Sequence, residues 1–248
     1  SLVGLAFHFA IRWWHAGRMP LFQLTNALVF PDPSRALPEG LLAVGGDLSR
    51  DRLLVAYANG IFPWYGEDEP ILWWSPNPRM VLFLDEYHGS HRLQRTLKDP
   101  LWHVTFDTKF EHVIDACAAV PRLCQEGTWI TSEMRHAYVE LHHAGYAHSV
   151  ESWHDGHLVG GVYGVSMGRC FFGESMFSLR TDASKVAFTH LVNRLRDWEF
   201  NWLDCQVHTP HLARLGARTV PRNEFLALLQ RDIKYPTHRG LWTERETS

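Results

Sequence analysis

Three polar side chains follow apolar segments, at places where the end of a strand could deliver them into a cleft. Glu174 lies in "GESMFS" at 173–178, and Asp204 and Gln206 lie in "LDCQVHTPH" at 203–211. Asp204 and Gln206 are two residues apart, so in a strand their side chains point to the same side. A carboxylate and an amide so placed can orient a nucleophile by hydrogen bonds. The alternatives are a solvated turn for Glu174 and a buried structural pair for the other two.

Two other chemistries fit the same segments poorly. Ser175 would need a glycine where Phe177 stands to form the nucleophile elbow of a hydrolase. Cys205, His208 and His211 carry suitable donor atoms for zinc, but no partner pair stands out elsewhere in the sequence. We therefore predict neither a serine hydrolase nor a metal site.

A tryptophan-rich segment lies far upstream of these residues. Residues 60–79, "GIFPWYGEDEPILWWSPNPR", contain Trp64, Trp73 and Trp74 among several prolines. Neither a helical nor a strand period fits the segment, and proline fixes φ and removes a backbone donor. The sequence therefore predicts an ordered loop that presents aromatic rings.

A basic segment follows this loop. "HRLQRTLKDP" at 91–100 places Arg92, Arg95 and Lys98 along one face of a predicted helix. A run of this kind is usually only a solvated face. Beside a tryptophan-rich loop it also suits single-stranded RNA, which proteins hold by aromatic stacking and a cationic groove.

The elements that must position these residues indicate a mixed α+β fold. Residues 19–79 are rich in proline and glycine, with a helix predicted in "LSRDRLLVAYANG" that ends at Gly60. Residues 80–248 alternate between strand and helix patterns. We predict a small N-terminal domain over 19–79 and a larger domain over 80–248. We interpret residues 1–18 as an extension upstream of a natural start at Met19.

Within the larger domain, helices and strands have distinct periods. Three β segments are predicted at 147–154, 157–165 and 168–174, with a hairpin turn between the first two. Three helices show apolar stripes at helical spacing. These stripes are Phe110, Val113, Ile114 and Cys117, then Met134, Ala137, Tyr138 and Leu141, then Phe188, Leu191, Val192 and Leu195.

The composition narrows the possible classes. A net charge of −3 on 248 residues gives no general attraction to nucleic acid, so an RNA contact needs a local basic patch. Four cysteines without a CxxC pair indicate reduced thiols and a cytoplasmic protein. No apolar run in the sequence reaches the length of a membrane-spanning helix.

Several short strings carry a resemblance that extends from about residue 30 to residue 232. They are "GLLAVGGDLS", "GIFPW", "ILWWSPNPR", "EGTWIT", "GHLVGGVYGV", "FFGESMFS", "DASKVA" and "LDCQ". In this order they resemble the leucyl/phenylalanyl-tRNA–protein transferases, the bacterial aminoacyltransferases of the N-degron pathway. The resemblance implies a small N-terminal domain followed by an acetyltransferase-like, or GNAT-like, domain.

The resemblance also implies an activity. Such enzymes move leucine or phenylalanine from leucyl-tRNA or phenylalanyl-tRNA to proteins that begin with arginine or lysine, which marks those proteins for degradation. The family uses no metal, nucleotide or coenzyme A, so we expect no cofactor, and we favour a monomer.

Two other classes stay open. A coenzyme-A-dependent N-acetyltransferase would need a glycine-rich loop at a helix start for the pyrophosphate, and the helix entry "RTDASKVAF" has no glycine. A non-catalytic RNA-binding module would have no need for Asp204, Gln206 and Glu174 at the ends of strands.

By resemblance, individual residues receive roles. Asp204, Gln206 and Glu174 are the expected catalytic residues. The residues expected to contact tRNA are Trp64 and Trp129 at the terminal adenosine and Arg95 and Lys98 at the backbone. The chain departs from the best-studied relative at His91 and Asp99, where that enzyme has basic residues. The expected aminoacyl pocket consists of Val162, Phe171, Met176, Ser178, Leu191 and Leu195.

Overall fold

The computed structural model describes residues 21–120 and 130–243, and these residues form a mixed α+β fold. The predicted fold class is therefore confirmed. The interpretation of residues 1–18 as an extension lies outside the described residues. So does Trp129, one of the two tryptophans assigned to the terminal adenosine.

A small four-stranded sheet lies at the N-terminal end of the described chain. Its strands are β1 (Phe22–Leu24), β2 (Leu41–Gly45), β3 (Phe62–Pro63) and β4 (Leu72–Trp74), in the order β1-β2-β4-β3. Helix α1 (Arg50–Ala58) begins after Ser49, whose Oγ accepts from the backbone N–H of Arg52. It stops before Gly60, as predicted, and this glycine has φ +71°. A Cβ there would come within 2.8 Å of Phe225, so both the turn and the packing require glycine.

The structure corrects the prediction that residues 60–79 form only a loop. β3 and β4 pair as antiparallel strands within this segment, with Phe62 opposite Trp74. Pro63 is tolerated because β3 is an edge strand, where a missing donor costs no ladder bond. Trp73 and Trp74 are buried, and their indole N–H groups donate to backbone carbonyls.

A seven-stranded sheet forms the larger part of the structure, in the order β11-β5-β10-β9-β8-β7-β6. Its strands are β5 (Arg79–Phe83), β6 (Trp102–Phe106), β7 (Ala147–His154), β8 (His157–Met167), β9 (Cys170–Ser178), β10 (Trp202–Gln206) and β11 (Arg218–Val220). Neighbouring strands are antiparallel except β9 and β10, which are parallel. β9 extends four residues beyond its predicted end at residue 174.

Helices pack on both faces of this sheet. They are α2 (His91–Thr96), α3 (Phe110–Ala119), α4 (Ser132–His143), α5 (Ala183–Asp197), α6 (Pro210–Ala213) and α7 (Arg222–Asp232), with 3-10 turns at Pro33–Arg35 and Leu84–Glu86. The three predicted apolar stripes are all buried. α3 and α4 share one buried cluster with the small sheet, whereas α5 packs in a second cluster on the other face. Buried side chains from both sides of residues 79 and 80 form one continuous cluster, so the core does not mark a domain boundary there. The division into two domains at this point stays a prediction.

Candidate active site

The seven-stranded sheet opens between its two parallel strands. β9 and β10 are in register at only two pairs, Leu203 with Phe171 and Asp204 with Phe172. Beyond those pairs both strands bulge. The register of β9 against β8 passes from Gly173 directly to Ser175, so Glu174 is an extra residue in its strand. β10 makes the same kind of shift between Asp204 and Gln206. Bulges re-aim side chains, and they place these polar groups in the opening.

Gln206 and Glu174 meet across this opening. The Nε2 atom of Gln206 donates to Oε1 of Glu174 at 2.9 Å. Gln206 has φ +62°, a left-handed conformation that a regular strand residue does not adopt. Its backbone N–H donates to Oδ1 of Asp204 at 2.8 Å, which holds that conformation. The structure therefore brings the three predicted catalytic residues together, but Asp204 contacts Gln206 through the backbone and not through the side chain.

Two buried tyrosines complete the surroundings of Glu174. Tyr57 of α1 donates to Oε1 at 2.7 Å, and Tyr138 of α4 donates to Oε2 at 3.0 Å. The two phenolic oxygens are also 2.5 Å apart. Two phenolic protons cannot fill three such contacts when the carboxylate is ionised. A protonated carboxyl can donate to one tyrosine, whose own proton then fills the contact between the two phenols. The geometry therefore accommodates a proton on Glu174.

The electrostatics of the site agree with this count of protons. Burial raises the pKa of the Glu174 carboxyl to about 7, and the charge of Asp204 adds to the effect. The hydrogen bonds from the two tyrosines and Gln206 oppose it. Burial also raises the pKa values of Tyr57 and Tyr138 well above the ordinary range, so both stay neutral donors. A carboxyl with a pKa near neutrality is suited to accept and return a proton during catalysis.

Glu174→Gln should make stability less dependent on pH. The folded pKa of about 7 exceeds the ordinary value of 4.5, so between these values the folded chain binds more protons than the unfolded chain. The free energy of unfolding of the wild type should therefore fall as pH rises from about 5 to about 8. Glu174→Gln carries no charge at this position, so its free energy of unfolding should exceed that of the wild type by about 1–2 kcal/mol at pH 8. This value is smaller than the full pKa shift would give, because Glu174 is only partly buried.

Urea unfolding of both proteins at the two pH values measures this difference. Asp155→Asn is a matched control, since Asp155 is an exposed carboxylate in the turn after β7. An identical fall of stability with pH in the wild type and in Glu174→Gln would contradict the prediction.

Asp204 is held by an arginine that sequence reasoning did not assign to the site. Nε and Nη2 of Arg79 donate to the two carboxylate oxygens of Asp204 at 2.8 and 2.6 Å, and both side chains are almost fully buried. The guanidinium lies between the rings of Phe62 and Phe225, 4.7 and 4.5 Å from their centroids. Nη1 donates to the carbonyl of Gly60. Arg79 thus ties the small sheet and α7 to the strand that carries Gln206.

Trp64 lies at the end of β3 and is half-buried. Its ring centroid is 5.7 Å from that of Trp74, and its carbonyl accepts from the Trp74 indole N–H at 2.7 Å. Its position is therefore fixed by the core of the small sheet.

The predicted basic face is shorter than expected. Helix α2 ends at Thr96, so Lys98 lies in the turn that follows it. Arg95 and Lys98 are exposed. Arg92 is also exposed but forms an ion pair with Asp182 at 3.2 Å. Two of the three cations are therefore on the surface without an ion pair among the described residues.

Most of the expected aminoacyl pocket comes together beneath α5. Val162, Phe171, Leu191 and Leu195 are buried in one cluster, and Met176 packs against it. Phe171 and Met176 are five residues apart, which in a regular strand would place them on opposite faces; the bulge at Glu174 shifts the alternation. Ser178 does not join the cluster, because it is exposed and its Oγ donates to the carbonyl of Arg180.

Two absences hold for residues 21–120 and 130–243. None of their helices is both long and apolar enough to cross a membrane. Within the same residues no three histidine, cysteine, aspartate or glutamate side chains are grouped as metal ligands would be.

Comparison with known proteins gives matches along most of the chain. The family model described as leucyl/phenylalanyl-tRNA protein transferase matches residues 81–230, and the model of its N-terminal domain matches 46–77. The transferase of this name from Desulfatibacillum aliphaticivorans is 57% identical, over 91% of this chain and 97% of that protein. Its counterpart from Myxococcus xanthus is 55% identical with the same coverage. Among solved structures, a GCN5-related N-acetyltransferase from Kribbella flavida gives a TM-score of 0.34 at 11% identity, covering 67% of this chain and 59% of that one.

These matches decide among the classes left open by the sequence. The acetyltransferase and the RNA-binding module are not favoured, and the predicted enzyme class, an aminoacyltransferase, is confirmed. The chain belongs to the leucyl/phenylalanyl-tRNA protein transferase family.

Proposed function

We propose that this chain transfers leucine or phenylalanine from charged tRNA to the α-amine of proteins that begin with arginine or lysine. The reaction as proposed uses no metal, nucleotide or coenzyme, takes place in the cytoplasm, and marks the acceptor for degradation. Its only substrates are the aminoacyl-tRNA and the acceptor protein.

The observation that carries this proposal is the Gln206–Glu174 contact in the opening between β9 and β10. On one side of β9 the apolar cluster with Val162 and Phe171 is suited to a leucine or phenylalanine side chain. On the other side Glu174 offers a carboxylate to a cationic amine. The ester and the amine are therefore expected to meet at this end of the strands.

Each polar residue has a distinct task in the proposed reaction. Nε2 of Gln206 donates to Glu174, so Oε1 of Gln206 is the atom that accepts a hydrogen bond from the incoming amine. Asp204 acts as a positioning residue, because it holds the backbone N–H of Gln206. Glu174 takes one proton from the α-ammonium, whose pKa is about 8.

The chemical step is aminolysis of the ester. The amine nitrogen attacks the carbonyl carbon, a C–N bond forms, and the bond from that carbon to the ribose oxygen breaks. A second amine proton passes to the leaving oxygen, with the neighbouring ribose hydroxyl as a route. Alignment of amine and ester could lower the barrier by about 7–11 kcal/mol, so a strong base is not required.

Binding of tRNA is proposed to use stacking and cations. Trp64 and Trp129 stack on the terminal adenine, and Arg95 and Lys98 contact phosphates.

We expect Arg95→Ala and Lys98→Ala each to reduce the slope of log affinity against log salt by about 0.7–0.9, because a variant that lacks one phosphate contact releases fewer counterions when it binds tRNA. Filter binding of phenylalanyl-tRNA at several salt concentrations measures the slope. Arg50→Ala, an exposed arginine on α1, is the control; equal slopes in all four proteins would refute the contact.

The activity itself is tested by transfer of label. The protein is incubated with labelled leucyl-tRNA and an acceptor that begins with arginine, and label is measured in acid-precipitable protein. The same acceptor with an acetylated N-terminus should take up none, because its α-amine is blocked. Label in neither acceptor, or equal label in both, would overturn the proposal.

A further inference from the structure

Residues 237–243, here called the C-terminal strap, lie beyond residue 230, where the family model ends. The strap is fixed to the sheet and to α4. Oγ1 of Thr237 accepts from the backbone N–H of Gly168 at 2.9 Å. Arg239 donates to the carbonyl of Ala144 at 3.0 Å. These bonds guide the chain toward the cluster beneath α5.

The strap ends on Trp242, whose backbone is held by buried polar groups. Its N–H donates to Oδ2 of Asp107 at 2.7 Å, and its carbonyl accepts from Nη1 of Arg194 at 3.1 Å. The indole N–H donates to the carbonyl of His238 at 3.0 Å. Each polar atom of Trp242 therefore has a partner, which fixes the orientation of the ring.

The indole ring of Trp242 is 3% exposed and packs against three other rings. It stacks on His148, with centroids 3.8 Å apart and planes 9° apart. Trp198 meets it edge-on at 4.9 Å. The third ring is Phe171 of β9, at 5.8 Å. His148 is itself fixed, since its Nδ1 lies 2.8 Å from Asp107.

Phe171 connects the strap to the proposed aminoacyl pocket. It belongs to the same buried cluster as Trp242, Val162, Leu191 and Leu195. We infer that Trp242 is a positioning residue that supports Phe171 from behind and so sets the depth of the aminoacyl pocket. The C-terminal strap thereby determines the preference between leucine and phenylalanine. This inference rests on the proposed function, which places the transferred side chain in that cluster.

Close packing makes the support effective. Protein interiors tolerate few voids, so a smaller residue at 242 allows the neighbouring side chain to relax into the space. If Phe171 moves toward the strap, the pocket deepens. A phenyl ring gains more from the added depth than a leucine side chain, which already fits.

The experiment compares kcat/KM for phenylalanyl-tRNA and leucyl-tRNA in one preparation of each protein. Trp242→Leu should raise the ratio of the phenylalanine value to the leucine value by about fivefold or more, within the range that one methylene can give in an apolar pocket. Trp242→Phe should raise it less. The ratio does not depend on the folded fraction, because both substrates are used by the same molecules. A loss of stability alone therefore leaves it unchanged.

Two further variants separate the possible failures. Trp102→Leu changes a half-buried tryptophan of β6 that packs on His154 and should leave the ratio at the wild-type value. Val162→Phe reduces the pocket from within and should lower the ratio. A shift in Val162→Phe without one in either Trp242 variant would overturn the inference and leave the pocket standing. No shift in any of them would overturn the pocket assignment together with the inference, and absence of transfer by the wild type would overturn the proposed function itself.

Discussion

Arg79→Met is expected to lower the free energy of unfolding by about 3–5 kcal/mol, because it leaves the Asp204 carboxylate buried without its partner. The Asp204 side chain has no exposed surface, and both its oxygens accept from Arg79. Methionine fills a similar volume between Phe62 and Phe225 but supplies no donor. Urea unfolding at neutral pH measures the loss. The same variant should reduce turnover, since Asp204 holds the backbone of Gln206.

Two comparisons identify the unpaired charge as the cause. In Arg50→Met, an exposed pair with Asp51 is removed, and such pairs contribute at most about 1 kcal/mol. Asp204→Asn added to Arg79→Met removes the charge left behind and should restore part of the lost stability. A double variant less stable than Arg79→Met, or a loss no larger than that of Arg50→Met, would contradict this account.

The helices and most strands of this fold are predictable from local pattern. The stripe Phe110, Val113, Ile114 and Cys117 repeats at the helical period, and each member is buried. Gly60 ends its helix as predicted, because a left-handed residue is needed there. Such signals involve residues close in sequence, so the amino-acid sequence alone is enough to identify them.

The geometry of the site depends on features that periodicity does not encode. A period of two predicts Asp204 and Gln206 on one face, but the bulge between them gives Gln206 φ +62° and aims its side chain at Glu174. The bulge at Glu174 also interrupts the strand pattern in the sequence. The pattern therefore predicts an end of the third β segment at residue 174, whereas β9 continues past its bulge to Ser178.

Contacts between residues distant in sequence could also not be predicted from local pattern. Tyr57 belongs to α1 and Tyr138 to α4, and each reads in the sequence only as part of an apolar helix face. Arg79 reads as one more basic residue near the tryptophan-rich segment. Their partners are separated from them by long stretches of chain, and the pairing depends on how the small sheet and helices pack. The resemblance supplied the proposed roles of Asp204, Gln206 and Glu174, which local pattern could not distinguish from structural ones.

Gln206→Ala and Glu174→Gln should each lower turnover by about 10–10³-fold, while leaving the affinity for phenylalanyl-tRNA unchanged. Nε2 of Gln206 donates to Oε1 of Glu174, so the side chain that orients the amine and the carboxyl that accepts the proton form one unit. The double variant should therefore be scarcely slower than the slower single variant. Single-turnover transfer at saturating acceptor measures the chemical step, and Asp155→Asn serves as the exposed control.

The dependence on pH provides a second test of the same assignment. If Glu174 must be ionised to take the ammonium proton, the single-turnover rate should rise through its pKa of about 7 in the wild type. Glu174→Gln should lose that inflection and keep the one from the acceptor amine, whose pKa is about 8. Asp204→Asn should lower the rate through the orientation of Gln206 and retain both inflections, with that of Glu174 moved to lower pH because the charge of Asp204 raises the Glu174 pKa. Additive losses in the double variant, together with an unchanged pH profile in Glu174→Gln, would mean that the carboxyl holds charge or shape without receiving the proton.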